Sequence, residues 1–338
     1  KYIDKKKVTL IRLPVQSKNP LIMLLNSIML TILIIFLNIS IVHARSRAPA
    51  WSCFLATKLT GRKFVTTFHG SYSFSSNLKK FYNSVMLRSD LVIAGSNFIF
   101  SHINENYSKY LNQNKKFLVI YRGINTEYYN PRKIKESDEQ KLIKKWGIDK
   151  NKKIILLPGR LTEWKGHEIF LDALNQLKSK KLKTEFTAII LGSDQGRNIY
   201  KKKLERLVDQ FRLSNDVKFI DNFDLMPIAY KISDLIISSS IEPESFGRIS
   251  VEAQSMEKPI IASNIGGSIE TIENDKTGFL FESGNSNKLC EKMIEILNLS
   301  EVTLNGIGSA GRNNVIKKFN VEKMCFSTYS EYKKILNA

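Results

Sequence analysis

The chain has 338 residues, 43% hydrophobic and 25% charged, with a formal net charge of +20. That is room for two domains with full cores and the composition of an ordinary globular protein; no internal repeat or low-complexity tract stands out, and no signal peptide is expected. Cys53, Cys290 and Cys325 form no close pair, which argues against a disulfide framework and suits a reducing cytoplasm.

In chain order, VTLIRL, ISIVHA, KFVTTF, LVIAG and FLVIY read as buried strands of the first half, separated by helix-length stretches. Between the first two lies PLIMLLNSIMLTILIIFLNIS, 21 residues without a charge and long enough to cross a bilayer. Asn26, Ser27, Thr31 and Asn38 interrupt it and a strand follows at once, so the reading is a packed helix with an apolar outer face, open to an interfacial role. The polar stretch 130–153 opens with Pro131 and reads as the connection between domains. IILLP, FTAIIL, VKFI, LIISS and PIIAS are the strands of the second half, and FNVEKMCFSTYSEYKKIL closes the chain as a helix. Strands alternating with helices predict parallel sheets covered on their faces.

The most informative stretch is EPESFGRISVEAQSM, which places Glu244 and Glu252 with seven residues between them and Phe246 and Gly247 directly after the first. Apolar residues at helical intervals from Ser250 put Glu252 in the first turns of a helix and leave Glu244 in the loop before it. Such a loop aims unpaired N–H groups and the positive end of the helix dipole at a ligand, a seat for phosphate. Upstream, PGRLTEWKG follows IILLP, so Arg160 and Lys165 emerge at the carboxyl end of a buried strand, where open parallel sheets bind ligands. There is no Asp-x-Asp triplet, no ligand spacing among Cys and His, and no phosphate-loop motif, so no metal is expected.

Together these segments resemble the retaining glycosyltransferases of family 4. The resemblance continues in GGSIE (Gly266, Gly267, Glu270), HARSRAPAW, FVTTFHG ending at His69 and Gly70, and VIYRGIN, and covers nearly the whole chain. It implies the GT-B fold, two Rossmann-like doubly wound α/β domains facing across a cleft. The domains would be 1–135 on the acceptor side and 136–320 on the nucleotide-sugar side, with 321–338 a helix returning to the first. It also implies roles. Arg160 and Lys165 would neutralise the donor diphosphate; Glu252 would accept from the ribose hydroxyls; Glu244 and the amides of Phe246 and Gly247 would hold the sugar. Gly266, Gly267 and Glu270 would complete the donor site, and His69 would face the anomeric carbon. The donor would be a nucleotide-diphosphate sugar, with no further cofactor. The opening is short by family standards, which leads us to expect a fragment. One departure is Glu257 in MEKPIIAS, where relatives usually carry a small residue; a left-handed helix C-cap there makes Glu cost about 1 kcal/mol.

The charge is lopsided. Residues 1–135 hold 21 Lys and Arg against 4 Asp and Glu, a net of +17, against +3 for 136–338. A basic domain with an apolar helix is drawn to an anionic membrane surface, and with the acceptor held there a glycan or lipid-linked acceptor of the cell envelope follows. The same charge is the footprint of nucleic-acid binding, but no nucleic-acid module accompanies it and no such partner is expected. A sugar-nucleotide epimerase or glycan phosphorylase of similar architecture is the alternative among enzymes. A Rossmann dehydrogenase is disfavoured because no Gly-x-Gly-x-x-Gly follows an early strand.

Overall fold

The computed structural model describes residues 8–72, 75–111, 116–180, 185–196 and 198–337. The basic opening KYIDKKK, part of the lopsided charge, lies outside the described residues. The chain divides into two compact units, Lys1–Ile120 with Ser327–Ala338, and Tyr121–Phe326.

In the first unit, α1 (Pro20–Phe36) leads to β1 (Ile41–Ala44), α2 (Arg47–Thr60), β2 (Lys63–Phe68), α3 (Asn77–Asn83), β3 (Leu91–Ala94), α4 (Asn97–Tyr107) and β4 (Lys116–Val119). The four strands are parallel and lie in sequential order. Asn19 starts α1 by accepting from the Leu21 amide, with Pro20 at the first helical position, where its missing N–H costs nothing. VTLIRL does not join this sheet. Val8, Leu10 and Ile11 are exposed, and β1 pairs with β2 alone among the described residues. Strand propensity without a partner strand and a covered face does not hold a strand.

The second unit runs α5 (Glu136–Trp146), β5 (Lys153–Pro158), α6 (His167–Ser179), β6 (Phe186–Leu191), α7 (Asn198–Gln210), β7 (Val217–Ile220), α8 (Met226–Ile232), β8 (Leu235–Ser238), α9 (Arg248–Ser255), β9 (Ile260–Ser263), α10 (Ser268–Thr271), β10 (Phe279–Phe281), α11 (Ser286–Leu297) and α12 (Glu301–Lys318). The stretch 130–153 belongs to this unit: α5 buries Leu142 and Trp146 in its core. Six parallel strands lie in the order β10-β9-β8-β5-β6-β7. Alternate residues of β5 feed opposite faces, Ile155 and Leu157 into one core and Ile154 and Leu156 into the other, which is why its sequence is continuously apolar. The order reverses between β5 and β8, and at such a switch point the following loops part and leave a crevice beyond the strand ends. The closing helix α13 (Val321–Asn337) begins in the second unit and ends in the first. There its Tyr332 hydroxyl hydrogen-bonds to His43 of β1.

Candidate active site

The loops after β5, β8 and β9 meet at that switch point. Ser239 donates to the Lys165 carbonyl at 3.1 Å and the Gly166 carbonyl at 2.9 Å, and the Ile241 amide to the Trp164 carbonyl at 2.8 Å. These bonds tie the first loop to the second. The second is tied to the third through a backbone bridge between Glu244 and Gly266, with the Gly267 amide donating to the Glu244 carbonyl at 2.7 Å. A Cβ on Gly267 would lie 2.5 Å from the Phe246 Cα, and one on Gly266 2.6 Å from the Glu244 carbonyl oxygen. The glycine pair thus holds the backbone of Glu244 and Phe246 in place by close approach.

The side chains of Lys165 and Glu244 meet in this knot. Lys165 Nζ lies 2.6 Å from Glu244 Oε1, with the two side chains only 11% and 10% exposed. Ser240 donates to the same oxygen at 2.6 Å, and the ammonium sits 4.5 Å from the centre of the Trp164 ring. Lys165, expected to neutralise phosphate, is already matched by a carboxylate, and Arg160, in the same loop, is exposed.

Gly247 opens α9 in the left-handed region at φ 77°. As expected, Glu244 lies in the loop and Glu252 within the helix. Phe246 turns its ring into the core against Phe319, at 5.7 Å between centroids, so only its backbone is offered to the site. Glu252 is nearly buried. It accepts from the Tyr230 hydroxyl at 2.9 Å and from Arg248 Nε at 2.6 Å. Tyr129 lies near the same carboxylate, and burial together with the Glu252 charge holds both tyrosine hydroxyls well above their ordinary pKa. Glu270 on α10 accepts from Tyr121, whose hydroxyl is pushed up to about 12 by burial and by that carboxylate. His69 directly follows β2 in the first unit and is half-buried.

Tyr230, Tyr129, Ser240 and Trp164 were not among the predicted site residues. Nothing in the surrounding sequence marks the tyrosines, whereas Arg248 stands four residues before Glu252, the spacing of a helical ion pair. Glu257 does end α9 in the left-handed region, at φ 58°. Its amide donates to Gln254 and that of Lys258 to Ala253, closing a Schellman cap. The Glu257 carboxylate then pairs with Arg132 Nη1 at 2.8 Å and Arg312 Nε at 3.7 Å. Among the described residues no group of three His, Cys, Asp or Glu could hold a metal ion.

Two parallel-sheet α/β units, one carrying carboxylates, cations and a helix amino end at its switch point, define a glycosyltransferase of GT-B architecture that uses a nucleotide-sugar donor. The chain belongs to the glycosyl transferases group 1, whose family model matches residues 138–313, and the model of glycosyltransferase family 4 matches residues 5–128. It is similar to the crystal structure of a glycosyltransferase from Rickettsia africae ESF-5, 39% identical over 98% of this chain and 86% of that one, with a TM-score of 0.89. Anabaena Alr3699/HepE in complex with UDP-glucose is 25% identical over 87% of this chain and 79% of that one, with a TM-score of 0.77. The N-acetyl-alpha-D-glucosaminyl L-malate synthase of Bacillus anthracis is 28% identical over 85% of this chain and 72% of its own length.

Proposed function

We propose that the protein transfers a hexose from a nucleotide-diphosphate sugar to an envelope glycan or lipid-linked acceptor. The anomeric configuration is retained and neither a metal nor another cofactor is used. The observation that carries this reading is the Lys165–Glu244 pair at the β5/β8 crevice, with Arg160 and the amino end of α9 among the same loops. Breaking a glycosyl phosphate bond builds negative charge on the departing diphosphate, and preorganised cations and N–H dipoles act on that charge. Arg160 takes the diphosphate directly; Lys165 shares its charge between Glu244 and the phosphate. Glu244 and the amides of Phe246 and Gly247 hold the sugar, Glu270 meets it from α10, and Glu252 receives the ribose hydroxyls. Gly266 and Gly267 act by placing the Glu244 loop. His69 is assigned to the anomeric carbon on the family resemblance.

The UDP-glucose complex of the Anabaena neighbour supports a nucleotide-sugar donor. The +17 on residues 1–135 supports an acceptor met at an anionic membrane surface, and the three free thiols favour its cytoplasmic face. Screening nucleotide sugars for thermal stabilisation identifies the donor, and NMR of the product formed in EDTA reads the anomer. An inverted product, or activity lost in EDTA and restored by magnesium, rejects the mechanism. An epimerised donor without transfer points to the epimerase alternative. A salt-dependent response to DNA with none to any nucleotide sugar points to nucleic-acid binding.

A further inference from the structure

Helix α1 is apolar on both faces: Ile34 is buried and Leu30 packs on the core, yet much of its outer face is carbon as well. Its polar Asn26 and Ser27 are buried, Asn26 Nδ2 donating to the Pro14 carbonyl at 3.1 Å and the Ser27 hydroxyl to the Met23 carbonyl at 2.8 Å. Several of its large apolar side chains point outward: Leu21 is 76% and Phe36 84% exposed, with Leu25, Ile28, Ile32 and Ile35 exposed between them. Seventeen residues rise about 26 Å, short of the ~30 Å hydrocarbon layer of a bilayer. No helix among the described residues is long and apolar enough to cross a membrane. The apolar face of α1 has the length to lie in an interface instead.

Beside the first turns of α1 the surface opens into a groove of about 810 Å³. Met23 and Leu24 of α1, Trp51 and Leu55 of α2, and Leu78 and Phe81 of α3 form its carbon walls. Lys18, Arg47 and Lys79 stand among them, and no Asp or Glu does. Arg47 is held in place, its guanidinium 4.4 Å from the centre of the Tyr72 ring and donating to Asn83 Oδ1 at 3.0 Å. Lys18 and Lys79 are exposed. A carbon-walled slot whose charged lining residues are all cations complements a ligand with an aliphatic chain and a phosphate head. Residues 1–120, which belong to this unit, hold 17 Lys and Arg against 3 Asp and Glu, a net of +14, and favour an anionic surface around that ligand.

We propose that this groove takes one acyl chain of an anionic glycerophospholipid from a bilayer leaflet, with Lys18, Arg47 and Lys79 around its phosphate and α1 lying in the interface beside it. The proposal rests on the reading that the acceptor is met at a membrane, and names the residues that bring the protein there. Each methylene of the chain taken out of water raises affinity about fourfold, and the cations add a salt-sensitive attraction.

Trp51 reports on the groove, because Trp146 and Trp164 lie in the other unit. The whole chain is mixed with vesicles of phosphatidylcholine and phosphatidylglycerol brominated on their acyl chains. Tryptophan fluorescence should be quenched, and the bromine-dependent part of that quenching should vanish in Trp51→Phe. Binding by co-sedimentation should weaken as salt rises. It should fall at least about tenfold in Leu55→Glu/Leu78→Glu, which puts charge into the slot at two exposed positions. Sedimentation without Trp51 quenching, equal binding to phosphatidylcholine alone, no binding, or full binding by the double variant would each overturn the proposal. Nucleotide-sugar stabilisation of the same preparation separates the two readings. Quenching without that response leaves the lipid site standing and removes the transferase reading, and the reverse removes the lipid site alone.

Discussion

Replacing Lys165 with Met keeps the volume of the side chain and removes its charge. Glu244 would then keep only the 2.6 Å hydrogen bond from Ser240, in a place where its side chain is 10% exposed. Breaking a buried ion pair by removing one partner costs about 3–5 kcal/mol, and the residual exposure puts this pair at the lower end, about 3 kcal/mol. For a unit of this size each kcal/mol moves the melting temperature by roughly 2–4 °C, so a fall of about 6–12 °C is expected. Because the chain has two units, the transition to follow is the one that a nucleotide sugar raises. The double variant Lys165→Met/Glu244→Gln, which leaves no unpaired charge, should regain all but about 1 kcal/mol of the loss. A single variant within about 1 kcal/mol of the parent, or a double variant as unstable as the single one, would refute the buried pair. If the double variant regains stability but not turnover, the Lys165–Glu244 pair acts on the reaction as well as on the fold.

Arg160 is exposed, so Arg160→Ala should change stability by less than about 0.5 kcal/mol while steady-state turnover falls about a hundredfold or more; unchanged turnover removes it from the phosphate site. In Gly267→Ala the new methyl would sit 2.5 Å from the Phe246 Cα, so stability should drop by about 1–3 kcal/mol and the thermal response to nucleotide sugar should weaken, whereas an unaltered melting curve contradicts the packing. Glu257→Ala should be less stable than Glu257→Gly by about 1 kcal/mol in urea, since both lose the carboxylate and only Ala keeps a Cβ at φ 58°. Burial pushes His43 and His167 down to about 4 from 6.5. Their stabilising effect is therefore present above pH 6.5 and lost as pH falls toward 4, about 2 kcal/mol for each group at pH 5. His167→Leu should flatten the part of that acid slope belonging to the second unit, and an identical slope in the variant would exclude this origin.

Local pattern was enough for much of this protein. Apolar runs bounded by polar stretches located β1 to β9, because a strand covered on both faces needs a continuous run of carbon. The three-residue β10 at the sheet edge is too short to leave such a trace. The Glu244 to Met256 stretch declared a loop entering a helix, and the site of the left-handed cap at Glu257, since backbone conformation answers to neighbours a few residues away. Tertiary structure decided what those groups touch. Lys165 meets Glu244 from 79 positions away, and Tyr230 and Tyr129 reach Glu252 from other elements. The Gly266–Gly267 pair proves to be a space through which another backbone passes. VTLIRL carries strand propensity but gains no partner, and α1 buries Asn26 and Ser27 beside Ile34 while leaving much of its apolar surface exposed. Sequence periodicity records which side chains share a face; which surface that face meets depends on the order in which the strands assemble, and this is set by contacts between distant parts of the chain.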